Sequence, residues 1–236
     1  SARLAAWAAA ALMALAVVFT FSRGGILALG IVVLLMLLRR PARWRTLIAL
    51  TVAAAVAIPF LPSGYTDRLT TLGQVGSVDS TTDVSIRGRT AEAGAAWAMF
   101  VEHPLSGVGV GNFAGHYQEY ARSLGIETKR VDREPHNLYL EVAAETGIFG
   151  LAAFGTLLGG AFFAIAKARG RWRSAGRRAE AGVGYALGVA LAGWLATSAF
   201  LHLDFARPWW LLLGLAFALP RLAAEDAAAA SKEAAA

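Results

Sequence analysis

The sequence has no cysteine and little charge. Without cysteine, disulfides, thiolate catalysis and cysteine-based metal sites are excluded. Charged residues make up only 16% of the 236 positions, whereas 57% are hydrophobic, and the mean hydropathy is +0.53. A soluble protein of this length needs a more polar surface than that. The composition therefore excludes an ordinary soluble domain and predicts a protein whose solvent is lipid.

The charge that is present has a basic excess, with a net charge of +6 and an isoelectric point near 10.2. Such an excess is common in nucleic-acid-binding proteins. Here, however, the basic residues lie largely in short loops between apolar runs, a pattern typical of the cytoplasmic loops of membrane proteins. We therefore expect the lipid bilayer as a partner, and no nucleic acid.

Long apolar runs predict an all-α polytopic membrane protein with about six transmembrane helices. The first run, residues 4–38, would reach about 52 Å as a single helix, although a bilayer core is only about 30 Å thick. The polar interruption at residues 22–25 therefore predicts a turn between two spans. The six predicted spans are residues 4–21, 24–38, 46–61, 138–166, 183–201 and 208–219.

Loop charges predict how these spans are oriented. Four arginines follow the second span within residues 39–45, and six Lys or Arg residues lie within 167–178, so we expect both loops in the cytoplasm. Residues 63–136 hold seven Lys or Arg against nine Asp or Glu, and the parity of the spans puts this segment outside.

The predicted organisation follows from spans and charges together. It has three transmembrane helices in 1–62, an extracytoplasmic helical loop in 63–137, three transmembrane helices in 138–219 and a cytoplasmic tail in 220–236. The chain enters an apolar run almost at once after Ser1, so we expect further N-terminal transmembrane helices to be missing upstream. The Ala-rich residues 221–236 predict a frayed, solvated helix.

The outer segment is too long to be a passive connector. Apolar residues of 85–102 fall near one helical face, as in a helix lying at the membrane interface. His103-Pro104 ends that helix, residues 107–111 read as a glycine-rich turn, and residues 112–124 predict a second helix.

Three arginines of the predicted outer face are candidate anion ligands. Arg23 lies between two apolar spans, where it is either an interfacial anchor or a binding group for an anion. Arg87 and Arg89 start the helix of the outer segment. They are either a solvated face or bidentate donors for a phosphate.

His136 precedes the fourth predicted span, where Pro135 forces an extended approach to the helix. The titration range of imidazole suits a general base, although a lone interfacial histidine is often structural. Glu141 and Glu145 follow on the same helix. Each is either paired with an arginine or acts as a proton acceptor or orienting group.

These residues belong to a series of short motifs. They are Ser22-Arg23-Gly24-Gly25, then Arg89 shortly before His103-Pro104-Leu105-Ser106-Gly107-Val108-Gly109, then Asn112-Phe113, and finally His136-Asn137-Leu138-Tyr139-Leu140 with Glu145-Thr146-Gly147. In order, spacing and placement around one large outer loop, they resemble the O-antigen ligase and polymerase superfamily over about residues 19–154. One departure is Ala93, where the family often has a tryptophan one turn after the arginine, so Arg87 is an alternative to Arg89.

The resemblance implies a membrane glycosyltransferase of the bacterial inner membrane, as in lipopolysaccharide biosynthesis. It would move a glycan from undecaprenyl diphosphate to a glycan or lipid acceptor on the periplasmic face. Arg23 and Arg89, or Arg87, would bind the diphosphate, and His136 would deprotonate the acceptor hydroxyl for inverting attack. Asn137, Tyr139 and Glu145 would support the site, and no metal or other cofactor would be required.

Two other functions remain open. A polymerase that extends a lipid-linked repeat would use the same residues. A non-catalytic transport protein would need none of them, but it would favour broken helices at mid-membrane in paired repeats, which the sequence does not clearly show.

Overall fold

The computed structural model describes residues 2–20, 22–38, 84–125, 133–200 and 207–235. Every regular element within these ranges is an α-helix. The helices are α1 (Ala2–Phe19), α2 (Arg23–Leu38), α3 (Val84–Glu102), α4 (Phe113–Ser123), α5 (Leu138–Ser174), α6 (Arg178–Ser198) and α7 (Arg207–Ala235). The all-helical prediction is confirmed for this part of the chain, and the predicted span at 46–61 lies outside it.

The chain divides into two compact units, Ser1–Val84 and Ser85–Ala236. In the first unit, α1 and α2 pack against each other. The predicted break between the two helices is confirmed, although residues 23–25 already belong to α2. The Ser22 hydroxyl accepts a hydrogen bond from the Gly25 amide at 3.1 Å, which caps the start of α2. Arg23 is the first residue of that helix.

In the second unit, α5, α6 and α7 pack together around a core that includes Ile165, Leu191 and Trp209. Both α5 and α6 are long and apolar enough to cross a membrane, whereas residues 8–19 and 24–38 form shorter apolar helices. Large apolar side chains of α5 such as Phe149 and Phe163 are exposed, as expected of helices solvated by lipid. The count of six spans stays a prediction.

Helix α5 is interrupted at Gly147, which has φ +62° and ψ −159°. Residues other than glycine rarely adopt this backbone conformation. A Cβ at this position would also collide with the backbone of Leu105 and Ser106. The interruption separates a polar first part of α5, which holds both buried glutamates, from an apolar part that starts at Ile148.

The two helices predicted in the outer segment are present as α3 and α4. They pack on each other and on the first part of α5 through a core that includes Met99, Phe113, Tyr117 and Ala144. Burial raises the pKa of the Tyr117 phenol, and the rings of Tyr117 and Tyr120 both lie in this core.

The glycine-rich turn predicted at residues 107–111 is present as part of a longer connection, residues 103–111, which is bonded to α5 through the backbone. The Val108 and Gly109 amides donate to the Ala144 and Glu145 carbonyls at 2.9 Å, and the Ile148 amide donates to the Pro104 carbonyl at 2.8 Å. Gly107 has φ +66°, and a Cβ there would collide with the Glu145 backbone. The turn and α5 therefore meet main chain to main chain, with a glycine on each side.

The Ala-rich tail continues α7 to Ala235. Ala223 is fully buried, and the Trp172 indole donates to the Asp226 carboxylate at 2.8 Å. Arg177 also pairs with Asp226 at 3.5 Å. The expectation of a frayed, solvated helix is therefore wrong as far as Asp226, because this part of the tail packs on α5 and on the start of α6.

Candidate active site

The carboxylate of Glu92 is the centre of a polar cluster in the second unit. It is only 1% exposed. Its Oε2 lies 2.8 Å from His136 Nδ1, and its Oε1 accepts a hydrogen bond from Arg133 Nη1 at 2.9 Å. A buried carboxylate needs such partners. Glu92 therefore joins α3 to the segment that leads into α5.

The local sequence explains how Arg133 reaches this carboxylate. Gly88 lies one helical turn before Glu92 on α3, and a Cβ at Gly88 would come within 2.5 Å of Arg133 Nη1. The absence of a side chain at Gly88 therefore leaves room for the guanidinium. Arg133 itself is about one-third exposed, so it lies across the helix at the edge of the cluster.

His136 is held by the residues on either side of it. Pro135 is buried, and Asn137 caps α5, because its side-chain oxygen accepts hydrogen bonds from the Tyr139 and Leu140 amides at 3.0 and 3.1 Å. Asn137 therefore fixes the backbone directly after the imidazole, and its supporting role in the site stays a prediction. Tyr139 connects α5 to α6, since its hydroxyl donates to the Leu195 carbonyl at 2.7 Å.

The contact with Glu92 sets which nitrogen of His136 carries the proton. A carboxylate accepts hydrogen bonds and donates none, so Nδ1 bears the proton in this contact and Nε2 is the basic nitrogen. The imidazole is 37% exposed although its partner is buried. The arrangement can orient a general base and stabilise its protonated form.

The predicted arginines are placed as follows. Arg89 is exposed on α3, three residues before Glu92 and so one turn from it. Arg87 lies on the same helix, and Arg23 starts α2 in the first unit. The roles predicted for the Arg23 and Arg87 side chains lie outside what the structure describes. A joint site of Arg23 with His136 stays a prediction.

Glu145 has partners that the sequence does not reveal. It is buried, its Oε2 accepts a hydrogen bond from the Gly111 amide at 2.8 Å, and its Oε1 accepts one from the Phe113 amide at 3.1 Å. Both amides lie at the start of α4, where backbone donors lack helical partners. Glu145 therefore caps α4 from a neighbouring helix, which is a supporting role through the fold.

Sequence reasoning did not single out Glu92 or Arg133. One signal was available, because Glu92 lies in register with Ala95, Ala96 and Met99, all of which are buried. An acid on the buried stripe of a helix requires a partner. The partners, Arg133 and His136, are 41 and 44 residues away, and they can be identified only from the fold.

Comparison with known protein families gives a match over the same region. A family model described as O-antigen ligase matches residues 8–155, which is more than half of the chain. The matched stretch includes Arg23, Arg89, Glu92 and His136. Comparison with curated proteins finds no match.

Proposed function

Because the chain belongs to the O-antigen ligase family, a family of membrane proteins, we propose that it transfers a glycan from undecaprenyl diphosphate to an acceptor hydroxyl. The transfer would take place at the periplasmic face of the bacterial inner membrane. The observation that carries this proposal is the partly exposed His136 imidazole, whose Nδ1 is held at 2.8 Å by the buried Glu92 carboxylate.

The acceptor is activated at His136 Nε2. This nitrogen takes the proton of the acceptor hydroxyl while the hydroxyl oxygen attacks the anomeric carbon of the donor sugar. The bond between that carbon and the diphosphate oxygen breaks, so the electron pair leaves with undecaprenyl diphosphate and the anomeric configuration inverts. Glu92 stabilises the resulting imidazolium, which then returns its proton to water.

The arginines act on the leaving group. Negative charge on the diphosphate grows as the glycosidic bond breaks, and guanidinium groups offset it through charge-assisted hydrogen bonds. Arg89, with its exposed position one turn from Glu92, and Arg23 are the residues proposed for this role, with Arg87 as the alternative to Arg89. A site of this composition needs no metal for the step.

The proposed topology has about six spans in this chain and the α3–α4 segment outside the cytoplasm, where lipid-linked glycan donors are used. The apolar lengths of α5 and α6 support the spans, and the cationic residues between them support a cytoplasmic connection.

The test is a transfer assay with the full-length protein in lipid vesicles. A glycan carried on undecaprenyl diphosphate is supplied with an acceptor glycolipid. We expect release of undecaprenyl diphosphate together with a glycosylated acceptor. Release that yields a lengthened lipid-linked polymer would assign a polymerase instead, and the absence of any release would contradict both.

A further inference from the structure

A stripe of large apolar residues is exposed along α3 and the turn that follows it. Trp97, Val101 and Leu105 are 57%, 59% and 60% exposed, and they are spaced four residues apart. The bonds from the His103 amide to the Met99 carbonyl and from the Gly107 amide to the His103 carbonyl extend the helical pattern past Glu102. At 100° per residue, the stripe lies on the side of α3 opposite the buried face that holds Glu92.

The backbone bonds of the turn fix where this stripe stands along α5. The Ile148 amide is bonded to the Pro104 carbonyl, and the Leu105 backbone lies against Gly147. Leu105 is therefore level with the interruption of α5. Directly after the interruption, Phe149 is 69% exposed.

The part of α5 that is apolar enough to lie in lipid begins directly after this interruption. From Ile148 to Ala166 the helix has no charged residue, and this run is about 28 Å long, close to the roughly 30 Å thickness of a bilayer core. Glu145 lies just before it and Lys167 just after it. The outer boundary of the hydrocarbon layer therefore falls near Ile148.

We propose that the stripe of Trp97, Val101 and Leu105 rests in the outer lipid–water boundary of the bilayer, as a second membrane contact beside the span of α5. The occupant is lipid because Leu105, at the end of the stripe, lies level with Ile148 and Phe149, where the exposed apolar surface of α5 begins. Contiguous exposed apolar residues mark an interaction surface, the apolar face of a helix beside a bilayer rests in the lipid interface, and tryptophan is enriched at membrane interfaces.

This contact sets the distance between the candidate site and the membrane surface. Helix α5 rises about 14 Å between Leu138 and Gly147, and His136 lies two residues before Leu138, so His136 lies within roughly 20 Å of the hydrocarbon boundary. The lobe formed by α3 and α4 is then held on the membrane surface at two places, α5 and the stripe. The membrane contact rests on the proposed topology of α5, and it does not depend on the proposed chemistry.

The absence of cysteine from the sequence allows a direct test by spin labelling. Val101→Cys and Leu105→Cys are each labelled with a nitroxide, and the full-length protein is placed in vesicles of phosphatidylethanolamine and phosphatidylglycerol. Collisions with oxygen, which partitions into lipid, are compared with collisions with a water-soluble nickel complex. Phe149→Cys gives the reference for lipid, and Glu119→Cys, at an exposed position of α4, gives the reference for water.

We expect the oxygen-to-nickel ratio at positions 101 and 105 to lie near that of position 149 and several-fold above that of position 119. A ratio equal to that of position 119 would overturn the proposal, since the stripe would then be in water. Labels immobilised and shielded from both reagents would overturn it as well, because a protein would then cover the stripe. Two positions are used so that a variant that fails to fold leaves the other as a test.

Discussion

Oε2 of Glu92 lies 2.8 Å from Nδ1 of His136, while the other oxygen of the same carboxylate lies 2.9 Å from Arg133 Nη1. One buried anion is thus shared between a guanidinium and an imidazole. The guanidinium offsets the charge of the carboxylate, so the contact with the imidazole can serve to orient the ring.

Glu92→Gln should lower kcat about 10²-fold with a smaller change in the KM for the donor, because an amide neither selects the tautomer nor stabilises the imidazolium. The transfer assay with varied donor measures both constants. Glu119→Gln, at an exposed glutamate of α4, is the matched control. Equal kcat in both variants would exclude Glu92 as a positioning residue.

His136→Ala should lower kcat by about 10²- to 10⁴-fold, the usual contribution of a general base. His116→Ala is the matched control, since His116 lies on α4 and is 45% exposed. Near-normal turnover by His136→Ala at neutral pH would be incompatible with a base role for this imidazole.

Arg89→Ala should lower kcat/KM for the donor by about 10- to 100-fold, which corresponds to the loss of a hydrogen bond to a charged group worth about 1.5–3 kcal/mol. Donor-dependent kinetics provide the measurement, and Arg122→Ala, at an exposed arginine of α4, is the control. If the two variants matched, Arg89 would lose its assignment, and Arg87→Ala would be the next variant to measure.

Glu145→Ala should lower the free energy of unfolding by about 1–3 kcal/mol, because it leaves two backbone amides at the start of α4 without their acceptor. Thermal unfolding in detergent, compared with Glu119→Ala, measures the difference. An unchanged Tm would mean that the cap contributes nothing to stability.

Gly147→Ala should lower the Tm, because alanine is strained at φ +62° by about 1–3 kcal/mol and its Cβ would meet the Leu105 backbone. Gly155→Ala is the control on the same helix, since a Cβ at Gly155 meets nothing within 4 Å. Equal Tm values would show that the close approach of the turn to α5 is not needed.

The local sequence pattern was sufficient to predict several parts of this fold. Helical periodicity predicted α3 and α4 to within two residues at each end, and the polar interruption before Gly24 predicted the turn between α1 and α2. These features depend on residues close together in the chain, whose propensities and spacing can be read directly.

Contacts between residues that are distant in the chain could not be predicted from the sequence in the same way. His136 stood out because the titration range of imidazole suits a general base, but its partner Glu92 is 44 residues away. Glu145 was expected to pair with an arginine or to handle protons, and its acceptor role for amides 32 and 34 residues away depends on how the turn docks. Gly147 was predicted as part of a continuous helix. Its non-helical conformation is explained only by the approach of Leu105 and Ser106, which the sequence does not reveal.

The attachment of the glycine-rich turn to α5 uses amide and carbonyl groups that every residue possesses. Bonds of this kind place few demands on the side chain of Val110, which follows them and is exposed. Natural variation at that position can therefore proceed without loosening the attachment, whereas Gly107 and Gly147 cannot be exchanged so easily. The exposed surface of the turn can therefore change its chemistry during evolution while the turn keeps its position on α5.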